Sequence, residues 1–325
     1  MAWVEGYTKA SSIVKDLATI LTTSEKDANN NVIPEKNWAL VYPDTLDAIA
    51  DVCILKTVTT PVNGKSLTMY LKIERPSPTS NFQYIQLTLS DIYASGDSFP
   101  TTGALVSPTV KWYWYTYQPS SATTSVLGIN LPIRYYGSVN NDRFTMVLEG
   151  DGTLNYTEYK ISFGYCGRIL SFKEGVDDVE GNFALTVKTQ GTITTSTKYG
   201  DNTANGMSDI MMFKTRSGVP YQQHFPAFIT PYYNLKKETN GFNASAWTDK
   251  YHLSPVYVVH GKDGYRGYLD GVVALDRQNI VHKDELIVTN PDLTEDRYKY
   301  FNVHTDLSFM SSSANSSYGL AIIKK

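Results

Sequence analysis

The chain has 325 residues, enough for one large or two ordinary domains with substantial cores. It carries 24 Tyr and a net charge of −3, and only 19% of its residues are charged. Such a balance favours β-structure, whose pleated, half-buried surfaces suit aromatic and β-branched side chains. It disfavours nucleic-acid binding, because the basic residues form pairs such as Lys236-Lys237 and Lys324-Lys325 rather than dense blocks.

Cys53 and Cys166 make neither a disulfide framework nor a metal site, and they read as two buried thiols of a protein folded in a reducing cytoplasm. Met1 to Thr23 lacks the basic start and continuous apolar core of a signal peptide. No run approaches the ~18 apolar residues of a membrane span.

Residues 1–52 are expected to form an N-terminal helical arm and connector. Thr8 to Thr23 predicts an amphipathic helix, with Thr8 or Ser11 as cap. Ile13, Leu17, Ile20 and Leu21 lie on one face, and Lys15, Asp16 and Thr19 face away. A lone helix of this length is marginal in water, so its apolar face docks on its own domain or on a neighbouring subunit. Ile13, Leu17 and Leu21 are therefore candidate assembly contacts. Asp27 to Lys36, with consecutive Asn29, Asn30 and Asn31, reads as a surface loop. Trp38 to Tyr42 reads as extended, and Asp44 is placed to cap a brief helix over Thr45–Asp51.

Residues 53–195 are expected to form a central antiparallel, sandwich-like β domain. Leu67, Met69, Leu71 and Ile73 alternate with polar neighbours until Pro76, and Ile85, Leu87 and Leu89 do the same from Tyr84. In Val110–Tyr117, Trp112 and Trp114 share one face with Val110, while Tyr113, Tyr115 and Tyr117 share the other with Lys111. One face must pack on a core. The Tyr face is either covered by neighbours or forms an aromatic surface for protein or host-surface glycan. Ser138–Asp142 predicts a hairpin turn. Glu149–Tyr159 fails the spacing of a calcium loop and reads as a Gly-rich turn. Ile161–Phe172 and Phe183–Val187 continue the alternation.

Residues 196–250 form an irregular Pro/Tyr/Asn-rich excursion with no clear period, in which Tyr221, Phe225, Tyr232 and Tyr233 are candidate contacts between subunits. Residues 251–325 are expected to form a C-terminal β unit. Its candidate strands are Val256–Val259, Tyr265–Leu275, Glu285–Val288 and Tyr298–Val303. Lys262-Asp263-Gly264 and Asp270-Gly271 suit tight reversals, and Asn290-Pro291-Asp292 marks a further turn.

Chemistry is sparse. All five histidines lie in the last third, with no H-E-x-x-H or H-x-H spacing, and those on strands read as hydrogen-bonded structural residues. There is no nucleophile elbow, P-loop or dinucleotide fingerprint. Asp177/Asp178 and Asp284/Glu285 fall in polar turns, and a glycosidase needs two carboxylates held about 5–10 Å apart across a cleft. Neither a catalytic residue nor a cofactor is expected, and a cell-wall hydrolase is the weakest reading.

Gly264, Gly267, Leu269, Gly271 and Val272 form a glycine-punctuated run, followed by Asp284–Ile287, by Tyr298, Phe301 and Val303, and by the closing Tyr318–Ile322. This pattern resembles the C-terminal end of virion structural proteins of tailed bacteriophages, especially tail and baseplate components of phages of Gram-positive hosts. The resemblance implies a virion location and assembly with copies of itself and other virion proteins. A neck, collar or tail-terminator position is the nearest variant.

Overall fold

Short strands paired antiparallel dominate the chain. The computed structural model describes residues 2–23, 38–58, 66–76, 84–104, 106–107, 109–114, 132–150, 161–172, 183–189, 210–212, 253–260, 264–276, 280–302 and 318–324. Its first part holds β1 (Ala2–Lys9), α1 (Ile13–Thr22), β2 (Ala39–Tyr42), β3 (Val52–Val58), β4 (Thr68–Glu74), β5 (Tyr84–Ser90) and β6 (Val110–Tyr113). Then follow β7 (Pro132–Asn140), β8 (Arg143–Gly150), β9 (Ile161–Arg168), β10 (Leu170–Ser171), β11 (Phe183–Thr189) and β12 (Ile210–Met212). The last part holds β13 (Ser254–His260), β14 (Gly264–Asp276), β15 (Glu285–Thr289), β16 (Glu295–Phe301) and β17 (Tyr318–Ile323).

Three sheets result. One is a simple meander, β2-β3-β4-β5-β6; a second runs β1-β7-β8-β9-β11-β12; the third runs β10-β14-β17-β16-β15, with β13 also on β14. The second sheet is the middle layer, and the hydrophobic pattern shows why. On β8, Phe144, Met146 and Leu148 join one core with Leu55, Leu71, Leu87 and Trp112 of the meander, while the intervening Val147 joins another core with Leu269, Val272, Phe301 and Ile322 of the third sheet. A strand covered on both faces must be apolar at successive positions, and β8 and β9 are buried almost throughout. The meander strands β4 and β5 have one covered face and keep a clean alternation of buried and half-buried residues.

The helix closes the first core. Ile13, Val14, Leu17, Ala18 and Leu21 are all buried there. The Asp16 carboxylate accepts hydrogen bonds from Thr8 Oγ1 (2.5 Å) and Ser12 Oγ (2.8 Å), fastening the first helical turn to the end of β1. A carboxylate also suits the positive end of the helix dipole. Arg75 reinforces the same corner by donating from Nε to Asp51 (2.8 Å) and from Nη1 to the Ala10 carbonyl (3.0 Å).

Several expectations need correction. The helix begins at Ile13 rather than Thr8, and Ala2–Lys9 is a strand paired with β7, so this segment belongs to the middle sheet. Alternation in this segment is visible, with Ala2 and Val4 buried and Glu5 exposed, but Gly6 and Lys9 mask it. Only a 3-10 turn at Leu46–Ala48 occupies the expected brief helix. Asp270-Gly271 is no reversal, because β14 runs straight through it. Gly271 has φ +72°, and a Cβ there would lie 2.6 Å from Ile323 Cγ2, so the glycine kinks the strand where its partner changes from β10 to β17. Finally, β10 pairs with β14, so a piece of the 53–195 segment belongs to the C-terminal sheet.

Candidate assembly surface

Glu285–Thr289 (β15) ends the third sheet, with the β15–β16 turn at one end and a tight turn over Val281–Asp284 at the other. Burial along it alternates between exposed Glu285, Ile287 and Thr289 and half-buried Leu286 and Val288. The turn into β16 is held by Asn290 N–H to the Thr294 carbonyl (2.8 Å), Leu293 N–H to the Asn290 carbonyl (2.9 Å) and Thr294 N–H to Asp292 Oδ1 (3.1 Å). Pro291 suits the start of such a loop, and its left-handed position falls on Leu293, with φ +66°. At the other end Lys283 has φ +75°. Val281 N–H donates to Asp284 Oδ2 (2.8 Å) and Lys283 N–H to the Tyr300 carbonyl (2.8 Å).

Three large apolar side chains of this unit meet water among charged and polar neighbours. Val281, Ile287 and Leu293 are 68%, 59% and 83% exposed, and they account for half of the exposed large hydrophobic residues among those described. Single exposed residues of this kind are ordinary; three spread along one edge strand and its flanking turns make this hairpin the candidate for an interaction surface.

A half-buried polar seam fixes that hairpin to the middle sheet. Glu149 on β8 forms an ion pair with Lys283 Nζ (2.7 Å) and accepts from His282 Nε2 (3.3 Å). His282 Nδ1 accepts the Asn302 N–H (3.2 Å), which places the ring proton on Nε2, toward the carboxylate. Burial alone would raise the Glu149 carboxyl, but the hydrogen bonds of His282 and Lys283 and the ammonium charge of Lys283 prevail and hold it below its ordinary value. Lys283, which burial would lower, is raised by Glu149 and by Tyr136. Its ammonium lies 5.3 Å from the Tyr136 ring centroid, and Lys299 lies 4.8 Å from the same ring. Lys299 also pairs with Glu5 (3.2 Å), which accepts the Trp3 indole N–H (2.9 Å), so β1 and β16 are stapled together. At the other end of β8, Arg143 pairs with Asp270 (2.7 Å), and Asp142 with Arg168 (3.0 Å). The carboxylates in this seam have cationic partners, an arrangement suited to holding layers in register rather than to proton transfer.

The sequence-derived candidates divide sharply. Ile13, Leu17 and Leu21 are at most 2% exposed and packed within the chain, so this helix face is occupied by its own fold and is not free for a neighbouring subunit. Tyr221, Phe225, Tyr232, Tyr233, Tyr115 and Tyr117 lie outside the described residues, and Tyr113 is placed only as backbone at the end of β6. Opposite that Tyr face, Val110, Trp112 and Trp114 are buried, as the alternation requires, and Lys111 is exposed with its ammonium 5.1 Å from the Tyr84 ring. Trp112 therefore cannot stack on a glycan. His282 is the hydrogen-bonded structural residue expected of a strand-side histidine. Cys53 and Cys166 are free and buried; burial pushes the Cys53 thiol up to about 12 and raises Cys166 as well. The β15 hairpin was legible as strand and turn, since Glu285–Val288 and Asn290-Pro291-Asp292 were expected there, but the exposure of Ile287 was not.

No family model and no curated protein matches this chain. Among the described residues no helix is long and apolar enough to cross a membrane, and no three His, Cys, Asp or Glu side chains gather as a metal site.

Proposed function

We propose that this chain is a structural component of a tailed-phage virion, in the tail or baseplate, which works by assembly with copies of itself and other virion proteins rather than by catalysis. The observation that carries this reading is the C-terminal sheet. The stretch whose turns and aromatics resemble phage tail proteins folds into a layer whose edge hairpin exposes Val281, Ile287 and Leu293, held on the middle sheet by partly buried ion pairs. In this reading the meander and the middle sheet form a sandwich, the C-terminal unit is its assembly layer, and the Pro/Tyr-rich segment 196–250 adds further subunit contacts. Symmetry multiplies modest interfaces into a stable ring or sleeve. The chain needs no cofactor, membrane span or nucleic acid to act this way. A neck, collar or tail-terminator position would use the same contacts.

Immunogold electron microscopy of particles, with antibody against the purified chain, tests the proposal. Label at the tail tip, tail or neck is expected and locates the protein. Intact and partly disrupted virions that both remain unlabelled would remove the virion reading.

A further inference from the structure

We propose that β15 is the seat of a second copy of this chain, joined antiparallel across a two-fold axis through Ile287. This contact deepens the assembly reading above and rests on it, since it names one self-contact of that assembly.

The backbone sets the register. Tyr300 N–H donates to the Asp284 carbonyl and Asn290 N–H to the Thr294 carbonyl, so Asp284 and Asn290 turn their peptide groups toward β16. Antiparallel pairs alternate, which gives Leu286 and Val288 the same inward direction and points the N–H and C=O groups of Glu285, Ile287 and Thr289 off the sheet edge. A two-fold axis through an outward-facing residue is the arrangement in which two such edges satisfy each other. Ile287 then exchanges bonds with its counterpart, and Glu285 exchanges them with Thr289 of the other copy.

The side chains agree. In this register Asp284 and Glu285, the latter already paired with Lys324 of its own chain, face the uncharged Asn290 and Thr289 of the second copy. The exposed Ile287 side chains meet at the axis, and Leu286 lies beside Val288. Pro291, which lacks an N–H, ends the pairing beyond Asn290.

Among the described residues this edge also lacks the commonest guards. Natural sheets blunt their edges with lysine, proline or bulges. The two end strands of the meander do so: β2 carries a register shift between Leu40 and Tyr42 and runs into Pro43, and β6 carries the exposed Lys111. By contrast β15 has neither lysine nor proline, and its pairing with β16 is continuous. Left-handed backbone at Lys283 and Leu293 brackets it at both ends, which fixes its limits.

Cysteine cross-linking reads this register directly. Residues facing each other in a bonded antiparallel pair have Cα atoms about 5.5 Å apart, within disulfide range. The full chain carrying Ile287→Cys is expected to form a covalent dimer on mild oxidation. Glu285→Cys, displaced from the axis, is expected to stay monomeric, and the buried native thiols give little background. In sedimentation velocity the unmodified chain should self-associate with rising concentration. Ile287→Lys, which sets two ammonium groups together at the axis, should sediment as monomer with unchanged circular dichroism. An unmodified chain that stays monomeric, equal cross-linking at 285 and 287, or association unaffected by Ile287→Lys would each overturn the proposal. Particles that label while Ile287→Cys fails to cross-link would remove this contact and keep the virion reading. A cross-linked dimer absent from particles would do the reverse.

Discussion

Arg143 on β8 and Asp270 on β14 form an ion pair of 2.7 Å between the middle and C-terminal sheets, with the arginine side chain only 4% exposed and the aspartate 28%. The pair stands beside Gly271, where an added Cβ would touch both Nη atoms at 3.5 Å and crowd Ile323 Cγ2 at 2.6 Å. Kink and ion pair together set how the third sheet sits on the second.

Removing one partner of this pair leaves a buried charge without its partner. Asp270→Ala is expected to destabilise the chain by about 3 kcal/mol, the low end for breaking a buried pair, because Asp270 keeps some contact with water. The double replacement Arg143→Met with Asp270→Leu removes both charges and should be less damaging than Asp270→Ala alone. Urea denaturation of the three proteins measures this. A loss below about 0.5 kcal/mol for Asp270→Ala would show that the pair does not hold the layers.

Glu149 makes the same junction sensitive to acid. Its carboxyl is depressed below the ordinary 4.5 in the folded chain, so its contribution is complete above that value and is lost as the pH falls through the lower folded one. Lys283 is raised above 10.5, so its contribution is complete below that value and lost as the pH rises through the higher folded one. Between these limits the Glu149–Lys283 pair is intact. Glu149→Gln should therefore melt below the unmodified chain by a constant margin near neutral pH, and the margin should shrink as the pH drops below about 4.5. Melting temperatures of both proteins across the acid range check it. A margin that persists unchanged through acid unfolding would assign the stabilisation elsewhere.

The sequence was most readable where a strand has one covered face. Met69, Leu71 and Ile73, and then Ile85, Leu87 and Leu89, alternate without interruption, and β4 and β5 lie where that pattern puts them. It was least readable where tertiary context sets the meaning. Val147 and Met146 look alike in sequence yet belong to different cores, so the middle layer is invisible to a two-fold period. Ala2–Lys9 pairs with residues more than a hundred positions away, and no local signal announces such a partner. Asp270-Gly271 has the composition of a turn and serves as a kink, because Gly answers equally to either need for positive φ. For the assembly surface, turn chemistry located the hairpin, but the exposure of Ile287 depends on β15 being last in its sheet.

Gly164 and Trp112 record how closely the first two sheets approach. A Cβ on Gly164 would fall 2.7 Å from Trp112 Cζ2 and 2.8 Å from Cε2, so the bare backbone of β9 is the floor on which the indole lies. Trp112 also stacks on Phe144, with ring centroids 6.4 Å apart. Gly164→Ala should destabilise by about 1–3 kcal/mol through overpacking, and Trp112→Ala by about 3–5 kcal/mol through the cavity it leaves. Thermal melts measure both. On a glycan array Trp112→Ala should behave as the unmodified chain does at a temperature where both are folded. Glycan binding by the unmodified chain that disappears in folded Trp112→Ala would restore the tryptophan to a binding role.

Leu293 supplies the last test, because its conformation and its exposure are both unfavourable for folding. A bulky residue at φ +66° crowds its own Cβ, and at 83% exposure the side chain recovers almost nothing by burial. Glycine adopts this geometry freely, so Leu293→Gly is expected to raise stability by about 0.5–1 kcal/mol, read as a higher urea midpoint at constant slope. If the chain is the virion component proposed above and the hairpin tip serves its assembly, the same variant should incorporate poorly into particles when it replaces the native protein during phage growth. Higher stability with reduced incorporation would mean that leucine is kept for contact at the expense of the fold. Lower stability would mean that Leu293 makes a supporting contact within the chain, and the tip would then be a structural loop.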